Sequence, residues 1–172
     1  MIDENEFEFF MVFCILSTMQ PYETVVKCMQ GLKVECYTTR GDFTEFNKLN
    51  IERILKSNGC RFWKTKAQRI VEFGSNPINL KTASREELVS NIKGVGMKLA
   101  SMFLRDTRNI DLAVMDVHTK RWLAKQLEMR NVPYPKKYED EEKWMLQFAK
   151  EHNTTIRELD YAIWNTGRIG NK

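Results

Sequence analysis

No run of apolar residues in the chain approaches the roughly 18 to 20 needed to cross a bilayer, so no membrane span is expected. Cysteine is sparse and scattered. The four cysteines, Cys14, Cys28, Cys36 and Cys60, form no Cys-x-x-Cys pair, and nothing follows Cys60. That argues against a zinc site and leaves reduced, mostly buried thiols. No stretch alternates convincingly enough to read as a strand, and neither an internal repeat nor a low-complexity segment is present. A basic leader is missing too. Asp3, Glu4, Glu6 and Glu8 make the start acidic, which argues against a signal or transit peptide and for an intracellular protein. Net charge is only +4, with 42% hydrophobic and 29% charged residues in 172, the make-up of an ordinary globular chain of one domain or two small lobes.

What the chain does have is helical periodicity. Residues 5 to 19 are apolar almost all round, which predicts a buried helix. Residues 22 to 33 predict a second, with Val25, Val26, Met29 and Leu32 inward. Gly31 and residues 38 to 42 read as loops. A helix over 43 to 57 would bury Phe46, Leu49, Ile51, Ile54 and Leu55 and end at Asn58-Gly59, a left-handed cap signal. The next segment interleaves Arg61, Lys64, Lys66 and Arg69 with Phe62 and Trp63. It reads as an amphipathic helix burying Phe62, Ile70 and Phe73, with stacking of bases beside phosphate contact as the alternative. Further on, residues 117 to 130 predict a basic helix. Glu139 to Glu142 form an acidic first turn, and a last helix starts near Asn153-Thr154, with residues 165 to 172 outside it.

The centre of the chain is residues 84 to 122. Ser84 and Glu87 form a capping box that starts a helix with Leu88, Val89 and Ile92 on its apolar face. Lys93-Gly94-Val95-Gly96 breaks it, two glycines allowing positive φ and close approach of a ligand. A second helix begins near Met97, its free amides suited to a phosphate. Lys98 falls in its first turn, where the helix dipole disfavours an ammonium and so favours the nucleophilic amine. Eighteen residues later, after Leu112-Ala113-Val114-Met115, Asp116 is placed to cap the next helix. Residues 93 to 137 carry ten Lys/Arg against four Asp/Glu, a local +6 that fits a phosphate-binding face or a solvated one.

Ile92, Gly94, Val95, Gly96, Lys98, Ala100, Asp116 and His118 resemble the motif of the helix-hairpin-helix DNA glycosylases. With Arg61-Phe62, Lys66-Ala67 and the Trp164–Gly167 tail, the chain is most similar to the archaeal-type 8-oxoguanine DNA glycosylase/lyases. The resemblance implies an all-α fold with two helical lobes flanking a DNA-binding cleft and no iron–sulfur cluster. It implies a single glycosylase unit over 1–172, one lobe about 21–112 and the other 1–20 plus 113–172. Lys98 and Asp116 would be catalytic, with Lys93, Gly94, Val95, Gly96 and His118 on the DNA backbone. Gln20, Trp164 and Lys172 would serve the base pocket or stack, although Gln20 also reads as part of a helix-ending turn and Lys172 as a free end. The expected activity is base excision with β-elimination at the abasic site. It would act on double-stranded DNA carrying a damaged base, as a monomer, with no metal or cofactor. Asp116-Val117-His118 is closer to the Asp-Thr-His of endonuclease III. Two alternatives therefore stay open: a glycosylase for an oxidised pyrimidine or mismatched base, and a non-catalytic hairpin DNA-binding module.

Overall fold

Apolar spacing at three and four residues organises the protein, and the expected all-α architecture is what forms. The structure, a computed structural model, describes residues 4–169, and among these there are helices and loops but no strand. The chain divides into two units, Met1–Gly96 and Met97–Lys172.

In the first unit α1 (Glu4–Leu16) packs on α2 (Tyr22–Val34) and on α4 (Trp63–Gly74), and α3 (Lys48–Ser57) packs on α2 and α4. Met11, Ile15 and Leu16 of α1 meet a core that includes Leu32, Ile51, Leu55 and Ile70, all fully buried. Arg40 opens a short 3-10 turn (Arg40–Asp42) and ties the unit together. It pairs with Glu8 at 2.9 Å and donates to the carbonyls of Asn76 and Ile78. The helix α5 (Arg85–Asn91) closes the unit.

Several expectations fail here, each for a packing reason. Gly31 lies inside α2, not in a loop; a Cβ there would meet Ile54 Cγ2 at 2.8 Å, so the glycine lets α3 approach. Helix α3 starts at Lys48, five residues later than the apolar pattern suggested. Phe46 and Leu49 are consequently outside the core, at 94% and 78% exposure, and Phe43 takes the inward place. Phe43 is accommodated because residue 74 is glycine: a Cβ there would overlap the Phe43 carbonyl. Phe62 is exposed, in the left-handed region at φ 56 just before α4, whereas Ile70 and Phe73 are buried as expected.

In the second unit α7 (Val117–Met129) packs on α8 (Tyr138–Glu151) and α9 (Ile156–Ile169), after α6 (Met97–Arg108). Leu123 and Leu127 of α7, Met145 and Ala149 of α8, and Ile156 and Ile163 of α9 form the core with Ala113 and Met115. Helix α9 runs through to Ile169, so residues 165 to 169 do not leave it. The segment between α6 and α7 is not helical, and side chains of α8 supply partners for the backbone of Ala113. Glu142 accepts from the Ala113 amide at 3.0 Å, and Tyr138 donates to the Ala113 carbonyl at 2.9 Å. Buried backbone groups that would otherwise be orphaned are satisfied, and the chain is delivered to Asp116 in a fixed place.

Among the described residues no helix is long and apolar enough to cross a membrane, and no three His, Cys, Asp or Glu gather to hold a metal ion. All four cysteines are free thiols; Cys36 is exposed and the others are buried.

Candidate active site and DNA-binding hairpin

The hairpin is built by local rules. Ser84 caps α5, its hydroxyl accepting from the Glu87 amide at 3.1 Å while Glu87 accepts from the Ser84 amide at 2.7 Å. At the other end the Val95 amide donates to the Ile92 carbonyl at 3.0 Å, and Gly94, third residue of this turn, has φ +88. A positive φ at that position is the need glycine meets. Gly96 differs. It is not in the left-handed region, and a Cβ built on it would meet nothing within 4 Å. Its space is open.

The hairpin is seated on α4. Lys93 pairs with Glu72 at 3.3 Å, and a Cβ on Gly94 would lie 2.7 Å from Cδ, Nε and Nη1 of Arg69. An arginine therefore lies flat across the glycine. Its Nε is buried without a hydrogen-bond partner among the described residues, a costly arrangement for a charged group. Val95 faces inward at 3% exposure with its amide spent on the turn, so it anchors the hairpin. The amides of Gly94 and Gly96 carry no hydrogen bond among the described residues, and those opening α6 are orphans by helix geometry.

Lys98 lies in the first turn of α6, half-buried, and among the described residues no hydrogen bond or ion pair engages it. Asp116 caps α7 as expected. Its Oδ1 accepts from the His118 and Thr119 amides, both at 2.8 Å. Such a cap contributes about 1 kcal/mol to the helix. Because one oxygen takes both amides, Oδ2 has no protein donor among the described residues. His118 is half-buried beside it.

Gln20 is held rather than projecting. Its amide donates to the Gly59 carbonyl at 3.4 Å, and its Oε1 accepts from the Arg61 amide at 2.8 Å and lies 3.5 Å from Lys66 Nζ. Entry into a base stack would break these bonds. Lys66, expected on a basic face, is 1% exposed and donates to the Leu16 carbonyl at 2.7 Å, capping α1; burial pulls its ammonium below the ordinary lysine range. Beside it, a hydrogen bond from Cys28 holds the Cys60 thiol down to about 7. Trp164 is half-buried on α9, and Lys172 lies outside the described residues.

Arg69 and Phe62 are the residues that sequence reasoning undervalued. Both were placed on an amphipathic helix. The signal for Phe62 was its place next to Arg61 and Lys64 with no acid nearby; Arg69 had none, because its contact with Gly94 is tertiary.

Helices throughout the described residues, interrupted by a Gly-x-Gly turn and followed by a lysine that no described residue engages and a capping aspartate, are the make-up of the helix-hairpin-helix DNA glycosylases. Comparison with known proteins narrows this. The Ogg-HhH family model, described as 8-oxoguanine DNA glycosylase, matches residues 2–154, and the chain belongs to that family. The 8-oxoguanine DNA glycosylase/AP lyase of Methanocaldococcus jannaschii is 31% identical over 91% of this chain and 79% of its own length. The Metallosphaera sedula protein of the same name is 29% identical over 92% and 81%. Among solved structures, the 8-oxoguanine DNA glycosylase of Thermotoga maritima superposes with a TM-score of 0.73 at 25% identity, covering 94% of this chain and 79% of that one. The M. jannaschii glycosylase/lyase in complex with a 15mer DNA containing 8-oxoguanine gives 0.72 at 28% identity, covering 93% and 79%.

Proposed function

We propose that this chain excises 8-oxoguanine from double-stranded DNA and nicks the product by β-elimination, with Lys98 as nucleophile and Asp116 as its carboxylate partner. The observation that carries the reading is the pairing of relatives named 8-oxoguanine DNA glycosylase/AP lyase with the state of these two side chains: among the described residues, a lysine with no partner, and a carboxylate fixed through one oxygen with the other unspent. The damaged nucleotide is flipped, since C1′ cannot be reached within the stack. Asp116 takes a proton from the Lys98 ammonium, and the amine forms a bond to C1′ as the glycosidic bond breaks and its electron pair leaves with the base. The carboxylate meanwhile faces cationic character at the sugar. The amine adduct then opens the sugar: a proton passes from nitrogen to O4′, the C1′–O4′ bond breaks, and the nitrogen lone pair makes the C1′=N bond of the Schiff base. The Schiff base loses a C2′ proton and the C3′–O bond breaks, its electron pair leaving with the 3′ phosphate, and no metal is used.

The amides of Gly94 and Gly96 bind a phosphate, with Arg69 and Lys93 contributing charge near it, and His118 is read as a further contact to the DNA backbone. Trp164 offers a flat surface to the flipped base, and Phe62, exposed and held in the left-handed region, offers a second candidate surface. Lys172 contacts the base edge, and Gln20 serves the stack once released. The protein works as a monomer inside the cell, and residues 1–172 act as one glycosylase unit. The test is product analysis on duplexes carrying 8-oxoguanine, an oxidised pyrimidine or a mismatch. Nicked product from the 8-oxoguanine duplex in clear excess is expected; preference for either other substrate would assign a different lesion, and no product from any would leave a DNA-binding module.

A further inference from the structure

Asp160 sits on α9, far along the chain from Asp116, yet one residue links them. The backbone N–H of Thr119 donates to Asp116 Oδ1 at 2.8 Å, and its hydroxyl donates to Asp160 Oδ1 at 2.9 Å. The second oxygen of Asp160 accepts from Arg105 Nη1 of α6 at 2.7 Å. Arg105 is braced in turn: its Nε meets Asp106 at 2.9 Å, and Arg157 donates to its carbonyl at 2.6 Å while lying 3.6 Å from Asp106. The Arg105 and Asp160 side chains are only 11% and 15% exposed, and Thr119 is 2% exposed.

Burying such a pair is a poor way to hold helices together, because desolvation offsets most of its attraction. α7 and α9 already share Leu123, Leu127 and Ile163. Burial pushes the Asp160 carboxyl upward, and the like charge of Asp116 pushes the same way, while Arg105 and Thr119 oppose both. The groups facing Asp160 are thus Arg105 from α6, and Asp116 and Thr119 from α7. What the pair accomplishes is directional: it fixes the rotamer of Thr119, and with it the turn whose amides hold the Asp116 carboxylate.

We propose that Asp160 is a positioning residue for base excision, acting through Thr119 to hold Asp116 at the geometry the reaction uses. The inference rests on reading Asp116 as the partner of Lys98. Its test is single-turnover excision on 8-oxoguanine duplexes, with duplex affinity and thermal midpoint measured alongside. Asp160→Asn, Thr119→Val and Thr119→Ser are each made in the native chain and in Asp116→Asn. In the native chain Asp160→Asn and Thr119→Val slow excision by about ten- to a hundredfold with affinity within about twofold, the size expected of a misplaced catalytic group. Thr119→Ser, which keeps the hydroxyl, stays within about threefold. In the Asp116→Asn chain neither Asp160→Asn nor Thr119→Val slows it further. Should Asp160→Asn fail to fold, Thr119→Val decides alone. Losses that add in full to Asp116→Asn overturn this inference by itself. An Asp116→Asn enzyme of undiminished rate overturns the reading of Asp116, and this inference with it.

Discussion

The two glycines of the hairpin separate folding from binding. Gly94 has φ +88, and an alanine there pays roughly 1–2 kcal/mol for the left-handed backbone. Its Cβ would also lie 2.7 Å from three atoms of Arg69, which must shift, for about 1 kcal/mol more. The stiffer unfolded chain returns roughly 0.4–1 kcal/mol. Gly94→Ala should therefore destabilise by about 1–3 kcal/mol, which at 2–4 °C per kcal/mol lowers the thermal midpoint by roughly 2–12 °C. Gly96, the residue before α6, has neither the positive φ nor a neighbour within 4 Å. Replacing it forfeits at most about 1 kcal/mol of capping preference, against a similar gain from the unfolded state. Gly96→Leu should consequently melt within a few degrees of the native chain. It would nonetheless fill the space that the proposed phosphate occupies. Losing one such hydrogen bond costs about 1–2 kcal/mol, or roughly five- to thirtyfold in affinity. Circular dichroism on heating and fluorescence anisotropy with lesion and undamaged duplexes at one salt concentration measure both. If Gly96→Leu loses stability as Gly94→Ala does, or loses affinity for lesion DNA alone, the hairpin is not the backbone clamp described.

Three other outcomes follow from particular side chains. Arg69→Met removes a buried nitrogen that has no partner among the described residues, so stability should hold, while affinity falls about equally for all duplexes and the salt dependence of log K shrinks by about one ion. Phe62→Ala should lower excision of 8-oxoguanine more than cleavage of a preformed abasic site, because the exposed ring is read as a surface for the base; equal losses would remove it from that role. Cys60 sits below its unfolded value, held down first by the Cys28 hydrogen bond, so its thiolate adds stability that is lost as pH falls through about 7, while the same bond pushes the Cys28 thiol up and slopes stability the other way above the ordinary thiol range. Lys66, an ammonium disfavoured by burial, slopes the same way as Cys60 at higher pH. Denaturant midpoints should therefore rise between about pH 7 and 9, and Cys60→Ala should flatten the rise.

Local features of the site were legible in the sequence because they are set within a few residues. The Ser84–Glu87 box, the cap at Asp116 and the positive φ at Gly59 and Gly94 all form where side-chain chemistry and spacing called for them. The apolar pattern failed where helical periodicity continued through residues that are not helical, as at Phe46, and where a glycine meant close packing rather than a turn, as at Gly31. What no local pattern carries is tertiary pairing. Lys66 is buried because a carbonyl fifty residues away needs a donor, and Arg105 meets its carboxylate across fifty-five. From the sequence Lys66 reads as one cation of an amphipathic basic stretch, and neither the carboxylate that Arg105 meets nor the relay from Asp160 to Asp116 has a local signal.

The central claim is that Lys98 forms the covalent link to DNA. It is tested most directly by borohydride reduction of the enzyme on an 8-oxoguanine duplex, followed by digestion and mass spectrometry of the cross-linked peptide. The adduct should map to Lys98, and Lys98→Gln should yield no cross-link. An adduct on any other lysine, or a cross-link undiminished in Lys98→Gln, would contradict the account.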